Sequence, residues 1–521
     1  MNIWQTKAIE DSIKDSSSEG RTLKRSLNAL DLAIMGVAVA IGAGIFSVGA
    51  KAAAVYAGPA VILSFILAGI TCALAIMCYA EFASSMPVAG SAYTYTYTTM
   101  GELLAWIIGW DLILELLTAA SVIANYWGIY LSNVFEIFGI NIPSSIHFGG
   151  LELTWGPFII VTIFTFLLVK GTKLSSRVNT IFTLLKIGIV LFVIIVGAFY
   201  IKTANYHPFI PPSQAAQAGS TGSDVWGQPL LQFISGMQPA HYGIMGIMSG
   251  AALVFFAFIG FDIVATSAEE VENPQKNLPR GIFGGLAIVT TLYILVSLVV
   301  TGMVPYTELA KAKDPSLSTA FMEVGANWAA SIIALGILIG LTTVIMVLLL
   351  GLSRVIFAMS RDGLFPYSWS KTSDEAKTPV GIQIAAGLIV AFIAGFTNVG
   401  VLEEMINIGT MSAFVLVSVG IIILRKKRPD LKASYRVPFS PVIPILSAVL
   451  CLYLMLNLTT LTWVRFIVWL IIGLAVYFGY GAKHSRLSMK KNGQLPLEES
   501  NTSVINELDP LTNSHGTRTE R

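Results

Sequence analysis

Two stretches decide how this chain reads: Ile41-Gly42-Ala43-Gly44-Ile45-Phe46 and Phe255-Phe256-Ala257-Phe258-Ile259-Gly260-Phe261-Asp262. Each lies in a long apolar run and puts glycine where a helix would otherwise continue. Mid-helix glycine weakens the hydrogen-bond ladder and lets another backbone come close. In a bilayer, a broken ladder survives only where the freed groups line a cavity or bind something. The bland reading of Gly42-Ala43-Gly44 is helix packing through small residues. The matching interruption in the second stretch favours two broken helices. A nucleotide loop is excluded, because no βαβ unit surrounds the glycines.

Working outward, the chain reads as an integral membrane protein. Of its 521 residues, 55% are hydrophobic and only 12% are charged, about half the charge fraction of a soluble domain. The net charge of +2 gives no field to recruit nucleic acid. The apolar runs predict an all-α fold of twelve spans, at about 28–52, 58–86, 101–134, 154–170, 178–201, 243–269, 281–303, 325–359, 379–397, 402–424, 440–460 and 463–481. Residues 1–27 read as a polar cytosolic tail rather than a signal peptide, and 482–521 as a second solvated tail. Cys72, Cys78 and Cys451 lie in apolar runs without metal spacing and read as packing residues.

Lysine and arginine set the orientation. One side collects Lys170, Lys173 and Arg177; Lys276 and Arg280; Arg354, Arg361, Lys371 and Lys377; and the cluster Arg425, Lys426, Lys427, Arg428, Lys432 and Arg436. The other side has Lys51, Lys202, Lys311, Lys313 and Arg465. The rich side is cytosolic, so both termini are expected inside, in a plasma-membrane protein. The outer loop from about Lys202 to His241 reads as a surface connection.

The two interruptions are offset by roughly 217 residues, and the same shift carries spans 2–5 onto spans 7–10. Repeat one would cover 28–201, repeat two 243–424, and spans 11–12 (440–481) would be an appendix to the domain 28–481. Five spans is an odd number, so the repeats must be inverted. Amides at a half-helix N-terminus suit an anion, and carbonyls at a half-helix C-terminus suit a cation. A zwitterion satisfies both. The expected substrate contacts are therefore Ile41, Gly42, Ala43, Gly44 and Ile45, with the carboxylate on the amides of Ala43 to Ile45. The ammonium falls to carbonyls of Ile41 and of Phe256, Ala257 and Ile259, with Phe256 and Phe258 shielding the side-chain pocket. The bland fate of these aromatics is core or lipid packing.

These residues, with Ala57-Gly58-Pro59-Ala60, Tyr79-Ala80-Glu81-Phe82-Ala83, Pro87-Val88-Ala89-Gly90-Ser91-Ala92-Tyr93, Gly109-Trp110, Glu269-Glu270 and Asn273 to Ile282, carry a resemblance. From 28 to 481 the chain resembles the amino acid–polyamine–organocation superfamily, and within it the bacterial relatives of cationic amino acid transporters. The resemblance implies a five-plus-five inverted-repeat fold and amino acid import or exchange, often coupled to protons. Where the family pattern has Thr or Ser between the glycines, this chain has Ala43, which leaves the amides as the carboxylate contacts.

Ionisable residues within spans are costly and usually functional. Lys186, in mid-span 5, resembles the family lysine that stands where other members of the fold bind a cation. It is expected to bridge span 1 carbonyls and to couple proton to substrate movement. The alternative is a snorkelling lysine. Asp111 and Glu115 share a face of span 3, and Glu115 is the expected proton partner of Lys186. The alternative for Asp111 is a water-exposed helix end or pairing with a loop. Asp262 is a candidate for capping the second half-helix or for a proton role, and Glu81 either pairs at a gate or lies on a solvated face. Glu269, Glu270, Lys276 and Arg280 are expected near the inner gate, on a structured loop punctuated by Pro274 and Pro279. Proton-coupled amino acid symport is the favoured function. Exchange or uniport without protons, and a non-transporting sensor, stay open. An enzyme is disfavoured: there is no GxSxG and no metal cluster, and all five histidines fall in loops or tails. No cofactor or metal is expected; the partners are the amino acid, a proton and the lipid bilayer.

Overall fold

The computed structural model describes residues 4–8, 27–85, 91–137, 139–148, 151–170, 176–215, 226–237, 240–261, 264, 271–312, 315–373, 378–397, 399–429, 433 and 435–491. Asp262, Glu269 and Glu270 lie outside these residues. The described chain is mostly helical. Among the described residues, 7 helices are long and apolar enough to cross a membrane, and shorter apolar helices of 10–17 residues accompany them. The chain is a multi-pass membrane protein. Large apolar side chains left exposed, such as Ile181, Leu184 and Ile195 on one helix and Leu388 and Phe392 on another, match a lipid-facing surface.

The first expected span is two helices. α1 (Ala29–Ala40) starts at a capping box. Asn28 Oδ1 accepts from the amides of Leu30 and Asp31, and Asp31 Oδ2 accepts from the Asn28 amide, which stabilises the start by about 1 kcal/mol. It stops at Ile41, and helix resumes as α2 (44–57), π-helical at Gly44–Val48 and Ala53–Ala57. Gly58, at φ 59°, turns the chain beneath Pro211 into α3 (Val61–Ser85). Then come α4 (Ser91–Thr99), α5 (Glu102–Ile137), α6 (Gly156–Val169) and α7 (Ser176–Ala198).

The sixth expected span is also interrupted. α8 (Gly243–Val254) tightens to a 3-10 turn at Phe255–Phe258 and then unwinds: Ile259 is extended and Gly260 sits at φ 114°. After it come α9 (Pro274–Met303), α10 (Leu317–Glu323), α11 (Asn327–Arg361), α12 (Val380–Phe396), α13 (Val399–Lys427), α14 (Val442–Leu456) and α15 (Thr460–Val476). The segment expected as a structured loop around Asn273 to Arg280 is helical from Pro274. Proline fits the first helical position, where its missing N–H has no partner to lose.

The long helices α5 and α11 pack against each other, and α13 packs on α5. α9 holds both α1 and α3. The described parts of the connection between α7 and α8 are tied to the helices. Tyr242 Oη donates to Ala54 O at 2.7 Å, and Tyr206 Oη donates to Leu298 O at 2.7 Å, which ties it to the ends of α2 and α9.

Gly260 combines a backbone conformation reserved for glycine with a contact against Val39 of α1 that leaves no room for a Cβ. Gly260→Ala is expected to destabilise the protein by about 2 kcal/mol or more. A fall in thermal unfolding midpoint of the purified protein, larger than that of Gly284→Ala on α9, checks it; the nearest side-chain atom there is 4.0 Å from the position of a new Cβ.

Candidate substrate site at the paired helix breaks

At the end of α1 the last regular hydrogen bond runs from the Ile41 amide to Val37 O, at 2.9 Å. In an unbroken helix the Gly42 amide would donate to Ala38. Instead it folds back onto Ala40 O, at 2.8 Å. The Ala38 carbonyl is thereby released inside the apolar core, and Lys186 of α7 takes it: its Nζ lies 2.7 Å from Ala38 O. Lys186 is buried, with its stem against Gly340 of α11, where a Cβ would come within 3.2 Å of the lysine Cγ.

The break in the sixth span is held from the same direction. Tyr293 of α9 is fully buried, and its hydroxyl lies 2.5 Å from Ala40 O and 2.8 Å from Ala257 O. With one proton it donates to either carbonyl in turn, so one side chain serves both interruptions. Asn407 of α13 donates through Nδ2 to Leu253 O at 3.1 Å, just before the 3-10 turn, and its Oδ1 is buried without a protein partner. The two breaks touch. A Cβ on Gly44 would overlap the backbone of Ala257, so this glycine is required for close approach. Gly42 is different. A Cβ there would meet Ile123 Cδ1 of α5 at 3.7 Å and Val344 Cγ2 of α11 at 3.9 Å, which are ordinary contacts.

Ile41, Ala43, Ile45, Phe256, Ala257, Phe258 and Ile259 are all buried. The amides of Ala43, Gly44 and Ile45 open the first turn of α2, where intrahelical acceptors are missing by construction. Phe258 packs edge-on against Tyr293 at a centroid distance of 5.4 Å, and Phe255 against Phe414 at 5.8 Å.

The two acids of α5 lie against α13. Asp111 is buried in α5, with Oδ2 accepting from Ser412 Oγ of α13 and Oδ1 without a protein partner. The water-exposed alternative for it does not hold. Glu115, one turn on, is buried with its Cβ toward Gly409 of the same helix. Glu81 is not on a solvated face. It is buried at the end of α3, where Arg425 Nε and Nη2 donate to its two oxygens at 2.8 and 2.6 Å and the Val437 amide adds a third bond. At the opposite end of the molecule, Lys51 of α2 pairs with Glu403 of α13 at 2.7 Å, and Tyr126 Oη of α5 donates to the other Glu403 oxygen at 2.5 Å. Sequence reading missed Tyr293, Asn407 and Glu403. Their signal was only a polar residue within an apolar run.

The amino acid permease profile matches residues 27–477, nearly the whole described helical body. The chain belongs to the amino acid permease family. Among relatives of the permease, the methylthioribose transporter of Bacillus subtilis is 44% identical over 94% of this chain and 99% of its own length. The branched-chain amino acid permease of the same organism is likewise 44% identical, over 94% and 99%. A vacuolar cationic amino acid transporter of Arabidopsis thaliana is 37% identical over 82% of this chain and 68% of its own. These are transporters rather than enzymes, and so is this permease.

Tyr293→Phe removes the hydroxyl that serves both breaks while keeping the ring. It is expected to cost about 1–3 kcal/mol, because a carbonyl is left unpaired in the core. Thermal unfolding of the permease checks it, with Tyr206→Phe at the outer surface as the smaller comparison.

Proposed function

We propose that the permease is a plasma-membrane secondary transporter that moves an amino acid by alternating access, with both termini cytosolic. What carries the reading is the contact between two helix breaks that offer unpaired amides on one edge and carbonyls on the other. The carboxylate lies on the amides of Ala43, Gly44 and Ile45, and the ammonium on carbonyls of Ile41 and of Phe256, Ala257 and Ile259. Gly42 gives the substrate backbone room, and Phe256 and Phe258 wall the pocket. The spans number twelve. Repeat one is 28–201, repeat two is its inverted counterpart 243–424, and 440–481 packs outside them. The polar tails 1–27 and 482–521 flank this domain.

The side-chain pocket of the proposed substrate is apolar, walled by Ile123 and Val344 beside Gly42. An ammonium or guanidinium at a side-chain end needs a buried partner, so an aliphatic amino acid is the proposed cargo. The branched-chain permease among the relatives supports this choice. The methylthioribose transporter, at equal identity, makes that thioether sugar the rival ligand. Uptake into vesicles by the purified permease should be competed by isoleucine, leucine and valine and not by lysine or arginine. Competition by methylthioribose alone overturns the amino acid assignment.

Transport is proton-coupled through Lys186, with Glu115 as a second proton-carrying group on α5. The ammonium on Ala38 O ties α7 to the inner half of the first span, and losing the proton weakens that tie from a charge-assisted to a neutral hydrogen bond. The Lys51–Glu403 pair closes the outer path and the Glu81–Arg425 pair the inner one. Lys186→Ala is expected to bind substrate while losing more than about 90% of uptake driven by a pH gradient, the scale of a lost positioning charge. Exchange of internal for external substrate should persist. Undiminished gradient-driven uptake would instead make the permease an exchanger or uniporter.

A further inference from the structure

A second buried carboxylate lies away from the breaks, where α5 begins. Glu102 is 2% exposed and accepts four side-chain hydrogen bonds from three separate parts of the chain. Gln5 Nε2, in the N-terminal segment, donates to Oε2 at 3.0 Å. Tyr97 Oη of α4 donates to the same oxygen at 2.9 Å. From the C-terminal side, Ser485 Oγ donates to Oε2 at 2.5 Å and Tyr477 Oη to Oε1 at 3.0 Å. The four donors are neutral, so the carboxylate is held by hydrogen bonds alone. Such bonds to an ionised acceptor are roughly twice as strong as neutral ones.

The backbone is built for the same meeting. Gly101, at φ 110°, lies under Trp4, whose carbonyl oxygen a Cβ would meet at 2.9 Å. Gly363, at φ 79° just past α11, lies under His484, whose carbonyl would overlap a Cβ. Each terminal segment thus runs over a glycine that accepts no side chain. The Lys7 amide donates to Tyr97 O at 3.2 Å, and the Glu102 amide donates to Gln5 O at 3.0 Å. Lys7 Nζ reaches Asp362, the residue that ends α11, at 3.2 Å, beside the Tyr93 hydroxyl at 2.8 Å. The Arg486 amide donates to Asp362 O at 3.1 Å. Both termini therefore fasten to the same two acids.

We propose that Glu102 is the keystone of a clamp through which the two terminal segments dock together and hold the cytosolic face closed, so that release of either loosens the other and lets the inner path open. The clamp fixes α4, the start of α5 and the end of α11 to one another. The strap at residues 4–8 belongs to the same chain end as α1, the half-helix that stops at the substrate site. A restraint between that chain end and the α5–α11 pair favours the inward-closed form by its differential binding alone. The inference rests on the orientation and alternating access proposed above. Its test needs no substrate, so an incorrect amino acid assignment leaves it decidable.

Hydrogen exchange on the full-length protein tests the coupling. Tyr477→Phe/Ser485→Ala removes the C-terminal donors, and Gln5→Ala/Lys7→Ala removes the strap's side-chain contacts. Linkage requires each to loosen the other terminus by the same factor. About tenfold faster exchange is expected at the Lys7 and Glu102 amides in the first variant and at the Arg486 amide in the second, the change for a coupling of ordinary size. Inner opening is read with an Ala43→Cys reporter, in inside-out vesicles, by labelling with a membrane-impermeant maleimide. Both variants should label several-fold faster than the reporter alone. Glu102→Gln should reproduce both effects. If it does not fold, the two terminal variants keep the carboxylate and carry the test. Loosening confined to the mutated terminus, or an unchanged labelling rate, overturns the clamp.

Discussion

Backbone polar groups cannot be left bare in a bilayer, and everything near the centre of this protein answers to that constraint. Breaking two helices at Gly42 and at Ile259-Gly260 frees carbonyls in a region without water. Side chains from three helices add donors there: Lys186 takes Ala38 O, Tyr293 reaches Ala257 O and Ala40 O, which also accepts the Gly42 amide, and Asn407 reaches Leu253 O, which also accepts the Phe255 amide. An unsatisfied carbonyl would cost on the order of several kcal/mol in hydrocarbon, and these side chains offset part of the cost of the breaks. Among the described residues, no side chain caps the first turn of α2.

How much of this was legible in the sequence follows from the range of each interaction. Glycine spacing is local, so the breaks at Gly42-Ala43-Gly44 and Gly260 could be read directly. A lysine in mid-span announces itself because its cost does not depend on partners, and Lys186 was found that way. Tyr293 carries no such announcement. A tyrosine in an apolar helix is unremarkable until the helix it faces is known, and its two acceptors lie 253 and 36 residues away. Asp111 shows the opposite failure. A water-exposed helix end was one alternative for it, but Asp111 is buried and its carboxylate is held by Ser412 of α13, a partner 301 residues away that no local pattern announces.

The glycines sort into two physical kinds, and only the structure separates them. Gly44 and Gly260 are demanded by contact, since Ala257 and Val39 occupy the space a side chain would take. Gly42 has ordinary room around it. A glycine kept where a Cβ would fit serves something other than the packing of the protein itself. At Gly42 a Cβ would meet Ile123 and Val344 at ordinary contact distance, and the proposed substrate pocket is placed there rather than at Gly44, where Ala257 leaves no room.

The ion pairs divide along the same axis. Lys51–Glu403 and Glu81–Arg425 lie toward opposite ends of the helices, and both are formed at once while the residues of the breaks are buried. A carrier that opened at both ends together would leak, so at least one closure must hold in every state. Glu81 and Glu403 are almost fully covered, whereas Arg425 and Lys51 keep about a third of their side-chain surface exposed. The acid of each pair is thus the fixed member and the cation the one that retains a route to water. Withdrawing Lys51 or Arg425 rehydrates the cation but leaves a buried carboxylate behind, a cost that the carboxylate's remaining donors reduce. The Tyr126 and Val437 donors, which stay with Glu403 and Glu81 when the cations leave, are what make that separation affordable within the membrane.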